Sequence, residues 1–273
     1  MSASTTPLLA AIADLLAAPE RARPADAGDA VAGVMPRVVA EPANEAEVAA
    51  LLAHAEREGL KVLVRGGGTQ LDLGFPPAGG DLLLSLARLD QVVEHAPHDL
   101  TVTVQAGMPL AALQAALAPA GQWLALDPAL PVGATVGGLI ATNASGPRRL
   151  RYGGVRDQIL GVRVALAGGS VVKGGGKVVK NVAGYDLPKL YTGALGTLGV
   201  VVAATFRLYP LPAASRTVAL TVPDPAPLGA LAQEVTASTL EPTILDISSA
   251  SGGACTCAAR FETVAAAAEQ QAE

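Results

Sequence analysis

The feature of this sequence that most constrains its fold is a glycine-rich run at residues 131–154, PVGATVGGLIATNASGPRRLRYGG. Six glycines and two prolines interrupt the run, and Thr135, Thr142, Asn143 and Ser145 add hydroxyl and amide groups. Glycine lets the main chain approach a ligand closely, and exposed backbone N–H groups bind oxygen-rich groups such as phosphates. The run therefore predicts either a phosphate-binding loop or a chain of tight turns between strands.

Three further glycine-rich stretches carry the same chemistry at distant places in the chain. They lie at 65–70 (RGGGTQ), 173–177 (KGGGK) and 193–199 (GALGTLG). Several separate loops favour a long, extended cofactor that each loop contacts. Two common nucleotide motifs do not fit, because the first stretch lacks the G-x-G-x-x-G spacing and Gly176-Lys177 lacks the other residues of a P-loop.

Composition limits the class of protein. The chain has 273 residues, enough for one large domain or two modest ones, and its net charge of −5 argues against a nucleic-acid partner. Two uncharged stretches, 100–126 and 190–206, contain too many glycine, proline and polar residues for membrane spans. With two cysteines and no basic leader, the sequence predicts a cytoplasmic protein.

Hydrophobic periodicity predicts the first helices and strands. A short amphipathic helix opens the chain, with Thr6 as its N-cap and Pro7 at its first position. A β-α-β unit follows. It consists of a strand at 37–40, a helix that begins with a capping box of Asn44 and Glu47, and a strand that runs directly into RGGGTQ.

The next elements are predicted to form an antiparallel sheet. Short strands at 82–86, 91–94 and 101–105 are separated by turn residues, and a helix follows at 110–117. Beyond the glycine-rich run, a hairpin turns at Gly168-Gly169, and a strand at 200–208 closes the set. A cluster of prolines then marks a change in composition. The predicted domains are a lead-in at 1–34, a main domain at 35–212 and a C-terminal segment at 213–273.

The C-terminal segment predicts an incomplete ferredoxin-like α+β cap. Its pattern is strand, helix, strand, strand and helix, without the final strand of a β-α-β-β-α-β unit. Cys255 and Cys257 lie two apart in a strand, where a disulfide is disfavoured, and two thiols cannot hold an iron–sulfur cluster. Core packing is expected for both, and an apolar sheet edge around 255–261 is expected to be available to a partner.

Taken together, these motifs resemble a known family. The stretches at 38–69, 103–117, 127–169 and 180–212 are similar to the FAD-binding domain of the vanillyl-alcohol oxidase and p-cresol methylhydroxylase (PCMH) type. The resemblance covers residues 35 to about 212. Within the family, KNVAGYDLPKL followed by GALGTLG looks most like the FAD-binding subunits of bacterial glycolate oxidase.

The resemblance implies a PCMH-type FAD-binding domain of two α+β subdomains, with FAD between them. Three segments match the family's cofactor loops by position. They are a first pyrophosphate loop of Arg65, Gly66, Gly67, Gly68, Thr69 and Gln70; a second loop with Thr135, Gly137, Gly138, Ala141, Asn143 and Gly146; and a segment of Gly196, Thr197, Leu198 and Gly199. Some relatives bond the flavin to a histidine of the first loop. Thr69 stands there in this chain, so the resemblance implies non-covalent FAD.

Fewer residues are candidates for substrate chemistry. Flavin carries the redox step, so the protein must mainly bind and orient a small 2-hydroxy acid. Arg148 and Arg151, beside Tyr152, are candidates for binding its carboxylate, with ordinary surface arginines as the alternative. Three lysines, at 173, 177 and 180, are candidates for neutralising phosphate or lie in a solvated loop. The catalytic base stays unassigned, because none of the three histidines adjoins a glycine loop.

Three functions are open at this stage. The first is a FAD-binding subunit of a glycolate oxidase-like complex, whose partners are a second flavin subunit and an iron–sulfur subunit. The second is an independent FAD-dependent dehydrogenase of the D-lactate type. The third is a non-catalytic assembly subunit with the same fold. No membrane span is expected, and any peripheral contact with a membrane is expected through the complex of the first hypothesis.

Overall fold

The computed structural model describes residues 5–177, 184–249 and 253–273. In chain order its helices are α1 (Thr5–Ala13), α2 (Glu45–Arg57), α3 (Leu110–Leu117), α4 (Val136–Thr142), α5 (Arg149–Tyr152), α6 (Val155–Gln158), α7 (Leu187–Tyr191), α8 (Ala226–Ala237) and α9 (Ala265–Ala272). The strands are β1 (Ala22–Pro24), β2 (Val38–Ala40), β3 (Val62–Arg65), β4 (Leu82–Ser85), β5 (Val92–Ala96), β6 (Thr101–Gln105), β7 (Gln122–Trp123), β8 (Ile159–Ala165), β9 (Val171–Gly175), β10 (Val200–Arg207), β11 (Tyr209–Pro210), β12 (Ala214–Val222), β13 (Ile244–Ser249) and β14 (Cys255–Thr263).

The first subdomain is built on a four-stranded sheet in the order β1-β2-β4-β3. β2 and β3 both run parallel to β4, with α2 as the crossover, which confirms the predicted β-α-β unit. The prediction that β4 belongs to an antiparallel sheet with β5 and β6 is wrong. All four residues of β4 are buried, and a continuous buried apolar run is typical of a parallel strand covered on both faces.

The start of α2 connects the lead-in to this subdomain. Asn44 caps the helix as predicted, because its side chain accepts a hydrogen bond from the Glu47 N–H at 2.9 Å. Glu47 does not return the bond to Asn44. Its carboxylate accepts hydrogen bonds from the backbone N–H groups of Ala43 (2.7 Å) and Ala17 (3.2 Å), and the second bond ties the segment that follows α1 to the start of α2. The predicted N-cap at Thr6 is also wrong, since α1 already includes Thr5.

The second subdomain contains a five-stranded antiparallel sheet in the order β5-β6-β10-β8-β9. The β8–β9 hairpin and the strand closing the set, β10, confirm the prediction. The glycine-rich run is not a plain loop, because α4 and α5 lie within it and α6 begins directly after it. α4 forms despite two glycines because Thr135 caps it and because Val136, Leu139 and Ile140 are buried in the core shared by both subdomains.

The C-terminal segment forms a separate three-stranded antiparallel sheet covered by α8 and α9. Its elements follow the predicted order of strand, helix, strand, strand and helix. Cys255 and Cys257 are free, buried and packed around Leu228, as expected for core residues. The sheet order is β12-β14-β13, so β14 is the central strand. The predicted open edge at 255–261 is therefore wrong, because β12 and β13 pair with both sides of that strand.

Candidate cofactor site

A cavity of about 750 Å³ lies between the two subdomains. Its walls come from β3 and the loop after it in the first subdomain, and from α4 and the segment before β10 in the second. Most of the residues assigned to the cofactor by resemblance meet there. They are Gly66, Gly67, Gly68, Thr69, Gln70, Thr135, Gly137, Gly138, Ala141, Gly196, Thr197 and Gly199.

The first loop offers the clearest anion-binding group. The backbone N–H groups of Gly68, Thr69 and Gln70 donate no hydrogen bond to any acceptor in the described part of the chain. Gly68 turns the loop with a φ of +76°, a conformation that favours glycine. Three consecutive free N–H groups beside a cavity match what a pyrophosphate requires.

Gly66 and Gly67 serve a second purpose, which is close packing between the two loops. A Cβ at Gly67 would overlap the carbonyl oxygen of Gly133, and one at Gly66 would overlap the Thr135 hydroxyl. The Gly67 N–H donates to Thr135 Oγ1 at 3.3 Å. This amide was predicted to bind phosphate, but in the structure it holds the first loop against the N-terminus of α4.

The first turn of α4 presents a wall of the cavity with its N–H groups already bonded. The Val136 N–H donates to the Met108 carbonyl (2.9 Å), the Gly137 N–H to the Ala106 carbonyl (2.6 Å) and the Gly138 N–H to Thr135 Oγ1 (3.4 Å). Glycine at 138 leaves room in the cavity, because a Cβ there would meet only the Thr135 hydroxyl, at 3.2 Å, and would otherwise occupy open space. α4 therefore contributes shape to the cavity more than free donors.

Four residues assigned by resemblance do not line the cavity: Arg65, Asn143, Gly146 and Leu198. Asn143 ends α4 in the left-handed conformation, with φ +51°. Gly146 packs against the Asp127 main chain, where a Cβ would overlap the carbonyl oxygen. Leu198 is exposed, and Arg65 directs its side chain to Asp29. Arg65, Asn143 and Gly146 therefore shape the loops without lining the cavity.

Sequence reasoning missed the apolar wall of the cavity. The loop that continues from Gln70 brings Leu71, Leu73 and Phe75 to the cavity, and Leu195 joins them from the other subdomain. Phe75 is fully exposed at the rim. The available signal was the sequence LDLGF directly after the glycines, since exposed large apolar side chains in a loop favour a ligand or partner.

Arg148, a candidate for binding the substrate carboxylate, is engaged inside the protein. Its guanidinium donates to Glu262 from Nη2 (2.9 Å) and Nε (3.2 Å), and it lies 4.7 Å from the Trp123 ring centroid. Arg151 pairs with Glu241 of the cap at 2.9 Å. Both arginines therefore connect the FAD-binding region to the C-terminal cap.

Burial changes the titration of two groups near Arg148. It raises the pKa of Asp127, whose carboxylate accepts the Arg148 backbone N–H at 3.0 Å. Burial also raises the pKa of Tyr152, which packs edge-on against the rings of Trp123 and Tyr209. Tyr152 is therefore protonated at neutral pH, and its ring packs against those of Trp123 and Tyr209.

The remaining candidate groups lie elsewhere. Lys177 pairs with Glu94, and neither Lys177 nor Lys173 lines the cofactor cavity. Lys180 and the rest of 180–183 lie outside the described residues. His95 bonds to the Gln122 side chain at 2.9 Å, and no histidine of the described residues lines the cavity.

Neither a metal centre nor a membrane-spanning helix is found in the described ranges. Among residues 5–177, 184–249 and 253–273, no group of three or more His, Cys, Asp or Glu side chains is placed to hold a metal ion. No helix within the same ranges combines the length and apolar character that crossing a membrane requires.

Two α+β subdomains around an amide-lined cavity define a domain that binds a phosphate-bearing cofactor. The sequence matches the family described as "FAD binding domain" over residues 36–175. The chain belongs to this family, and its cofactor is FAD. The resemblance found in the motifs is confirmed.

Three curated relatives illustrate the range of the family. D-2-hydroxyglutarate dehydrogenase of Xanthomonas citri pv. viticola is 39% identical, over 69% of this chain and 40% of the relative. Glycolate oxidase subunit GlcD of Bacillus subtilis is 34% identical, over 67% of this chain and 39% of the relative. Glycolate oxidase subunit GlcE of Escherichia coli is 39% identical, over 56% of this chain and 44% of the relative. The chain thus spans less than half the length of each.

The fold is also found among solved structures. An alkyldihydroxyacetonephosphate synthase superposes with a TM-score of 0.75 at 19% identity, over 87% of this chain and 49% of that protein. At this identity the similarity establishes the fold alone.

Proposed function

We propose that this chain is the FAD-binding part of a glycolate oxidase-like complex that oxidises a small 2-hydroxy acid, such as glycolate, to the corresponding 2-oxo acid. The observation that carries the proposal is the cavity between the subdomains, which Gly68, Thr69 and Gln70, with their free N–H groups, line together with residues of α4 and of the segment at 196–199. Two different glycolate oxidase subunits are similar to this chain, which supports an assembly with a second flavin subunit.

The residues present suit a dinucleotide. The free N–H groups of 68–70 are donors for the pyrophosphate, and the apolar wall around Leu71, Leu73 and Leu195 suits a flat ring. Oxidation of the hydroxy acid removes two electrons and two protons; FAD held here would supply the redox chemistry, with the electrons passing on to an acceptor and the protons to solvent. An iron–sulfur partner is the acceptor that we propose. We further propose that the FAD is held without a covalent bond, because Thr69 cannot form the link that a histidine makes.

Substrate binding is proposed to depend on groups beyond those that hold the cofactor. Arg148 and Arg151 both carry a carboxylate partner from the cap, so neither is free to bind a substrate carboxylate without breaking an ion pair. We therefore propose that the partner subunits complete the substrate site, and that the chain alone binds FAD but oxidises hydroxy acids poorly.

Anaerobic mixing tests this proposal. The purified chain, loaded with FAD, is mixed with glycolate or D-lactate while the flavin absorbance is followed, first alone and then with co-expressed partners. We expect slow bleaching alone and fast bleaching in the assembly. Fast bleaching by the chain alone would instead favour an independent dehydrogenase, which the similarity to D-2-hydroxyglutarate dehydrogenase supports as the second candidate. A chain that takes up no FAD would refute both.

A further inference from the structure

We infer that Asp29 is a positioning residue for the pyrophosphate loop, acting through Arg65. The inference rests on the proposed cofactor site and adds a residue from the N-terminal lead-in, which precedes the stretch at 36–175 that matches the family. Asp29 lies in the turn after β1, 36 positions before Arg65 in the chain, and its side chain is only 3% exposed.

Asp29 is held by several charged and polar groups at once. Arg23 donates to it from both Nη atoms, at 2.6 and 2.9 Å, and the Asp26 N–H donates at 3.0 Å. Arg65 Nη2 donates to the same carboxylate at 3.0 Å. These partners hold the pKa of Asp29 well below its usual range, with the Arg23 hydrogen bonds as the main cause. The carboxylate is therefore charged at neutral pH.

Arg65 transmits this anchoring to the loop. It is the last residue of β3, so its main chain leads directly into Gly66 and the free amides beyond. Its side chain turns back beneath the loop, and Arg65 Cδ would lie 3.7 Å from a Cβ at Gly68, the residue that turns the loop with positive φ. The Asp29 carboxylate fixes the far end of that side chain. Asp29 thus restrains the segment from which Gly68, Thr69 and Gln70 present their N–H groups.

The lead-in also contributes directly to the cavity. Val31, two residues after Asp29, lines the cavity wall and packs with Val39 and Leu83 of the first subdomain. Before Asp29, β1 pairs with β2, so the segment is anchored on both sides of Asp29. Removing the Asp29 charge is therefore expected to act on the loop rather than to release the segment. Preorganised donors bind a ligand more tightly because less ordering is needed on binding.

The test compares two aspartates that share one arginine. Asp29→Asn removes the charge that holds Arg65 while keeping the size of the side chain. Asp26→Asn is the matched control, because Asp26 also pairs with Arg23 (3.3 Å) but has a side chain that is 71% exposed, and no hydrogen bond or ion pair among the described residues joins it to Arg65. We measure the FAD dissociation constant and the rate of FAD release by flavin fluorescence, together with the unfolding midpoint of each apoprotein.

We expect Asp29→Asn to weaken FAD binding and to speed FAD release by about tenfold or more, and Asp26→Asn to change both by less than about twofold. Arg65→Met should give a similar loss, and the double variant Asp29→Asn/Arg65→Met should lose little more, because the two residues act in series. If Asp29→Asn does not fold, the inference is tested on the FAD affinity of Arg65→Met instead, measured alone and in combination with Asp26→Asn.

The outcomes separate the inference from the cofactor assignment. Wild-type FAD affinity in Asp29→Asn or in Arg65→Met would overturn the inference while leaving the cofactor site in place. Additive losses in the double variant would also overturn it, since they would show that Asp29 does not act through Arg65. If the wild-type chain itself failed to bind added FAD, the proposed function would fall instead.

Discussion

Replacing Glu262 by glutamine should loosen the C-terminal cap from the FAD-binding region. Glu262 is the buried partner of Arg148, with a side chain that is 6% exposed, and it accepts two hydrogen bonds from the guanidinium. Glutamine keeps the shape of the side chain but removes its charge, and its amide nitrogen would face the arginine. The other described ion pair between the two parts joins Arg151 to Glu241, and both of its side chains are at least half exposed.

The size of the effect follows from burial and from the partner that remains. Removing one member of a fully buried ion pair costs about 3–5 kcal/mol. Arg148 is 21% exposed and keeps Asp127 at 3.9 Å, so part of its charge stays compensated. We expect a loss of about 2 kcal/mol, which corresponds to roughly a thirtyfold increase in the open population of the cap.

Hydrogen exchange of β12, β13 and β14 measures this opening directly. Exchange in these strands should be faster in Glu262→Gln, while exchange in β6 and β10 and the FAD dissociation constant should stay close to wild type. Glu241→Gln is the control, because its exposed pair is expected to contribute about 0–1 kcal/mol. Equal exchange in Glu262→Gln and wild type, or equal effects of the two variants, would refute the assignment of Arg148 as the residue that holds the cap.

Three further predictions follow from the site. Gly138→Ala should weaken FAD binding by at least about tenfold, because the added methyl group lines the cavity, and it should not lower stability, because alanine favours helix. The control is Gly229→Ala in α8, where a Cβ meets no atom within 4 Å and FAD affinity should stay unchanged. Equal FAD affinities of the Gly138→Ala and Gly229→Ala variants would contradict the prediction. Asp127→Asn should raise the unfolding free energy at pH 7 but not at pH 3. The contribution of a carboxyl with a raised pKa to stability is fully present below its ordinary pKa of 3.8 and is lost as pH rises through the raised value, so a variant less stable at pH 7 would argue against this. Acid precipitation should release intact FAD, and flavin retained in the pellet would rule out non-covalent binding at Thr69.

Local features of the fold were largely predictable from the sequence. Asn44 was identified as an N-cap and the hairpin turn at Gly168-Gly169 was placed correctly, because each depends on residues within a few positions of one another. Cys255 and Cys257 were assigned to packing, because alternation in a strand sets which face each side chain takes.

Features that depend on distant pairing were not predictable in the same way. β4 follows turn residues that fit a hairpin equally well, and only its pairing with β2 and β3 shows that it runs parallel. The order β12-β14-β13 is likewise a matter of which strands meet, so the open edge was assigned to the wrong strand. Arg148 and Glu262 are 114 positions apart, and no local pattern links them.

The glycines of the site show why motif matching alone overstates what contacts a cofactor. The motif predicts that all six residues of RGGGTQ form the pyrophosphate loop, yet in the structure these residues have three different roles. Arg65 is held by Asp29 behind the loop, and Gly66 and Gly67 let the loop pack on Thr135 and Gly133. The N–H groups of Gly68, Thr69 and Gln70 donate to no acceptor in the described part of the chain.

A glycine needed for packing and a glycine needed for a ligand respond to different substitutions. At Gly67 any side chain would overlap the Gly133 carbonyl, so loss of FAD there would say nothing about phosphate contact. At Gly138 a methyl group meets only the Thr135 hydroxyl, at 3.2 Å, and otherwise projects into open space. Variants that test cofactor binding in this chain should therefore be chosen by what surrounds each glycine, since the same motif contains both kinds.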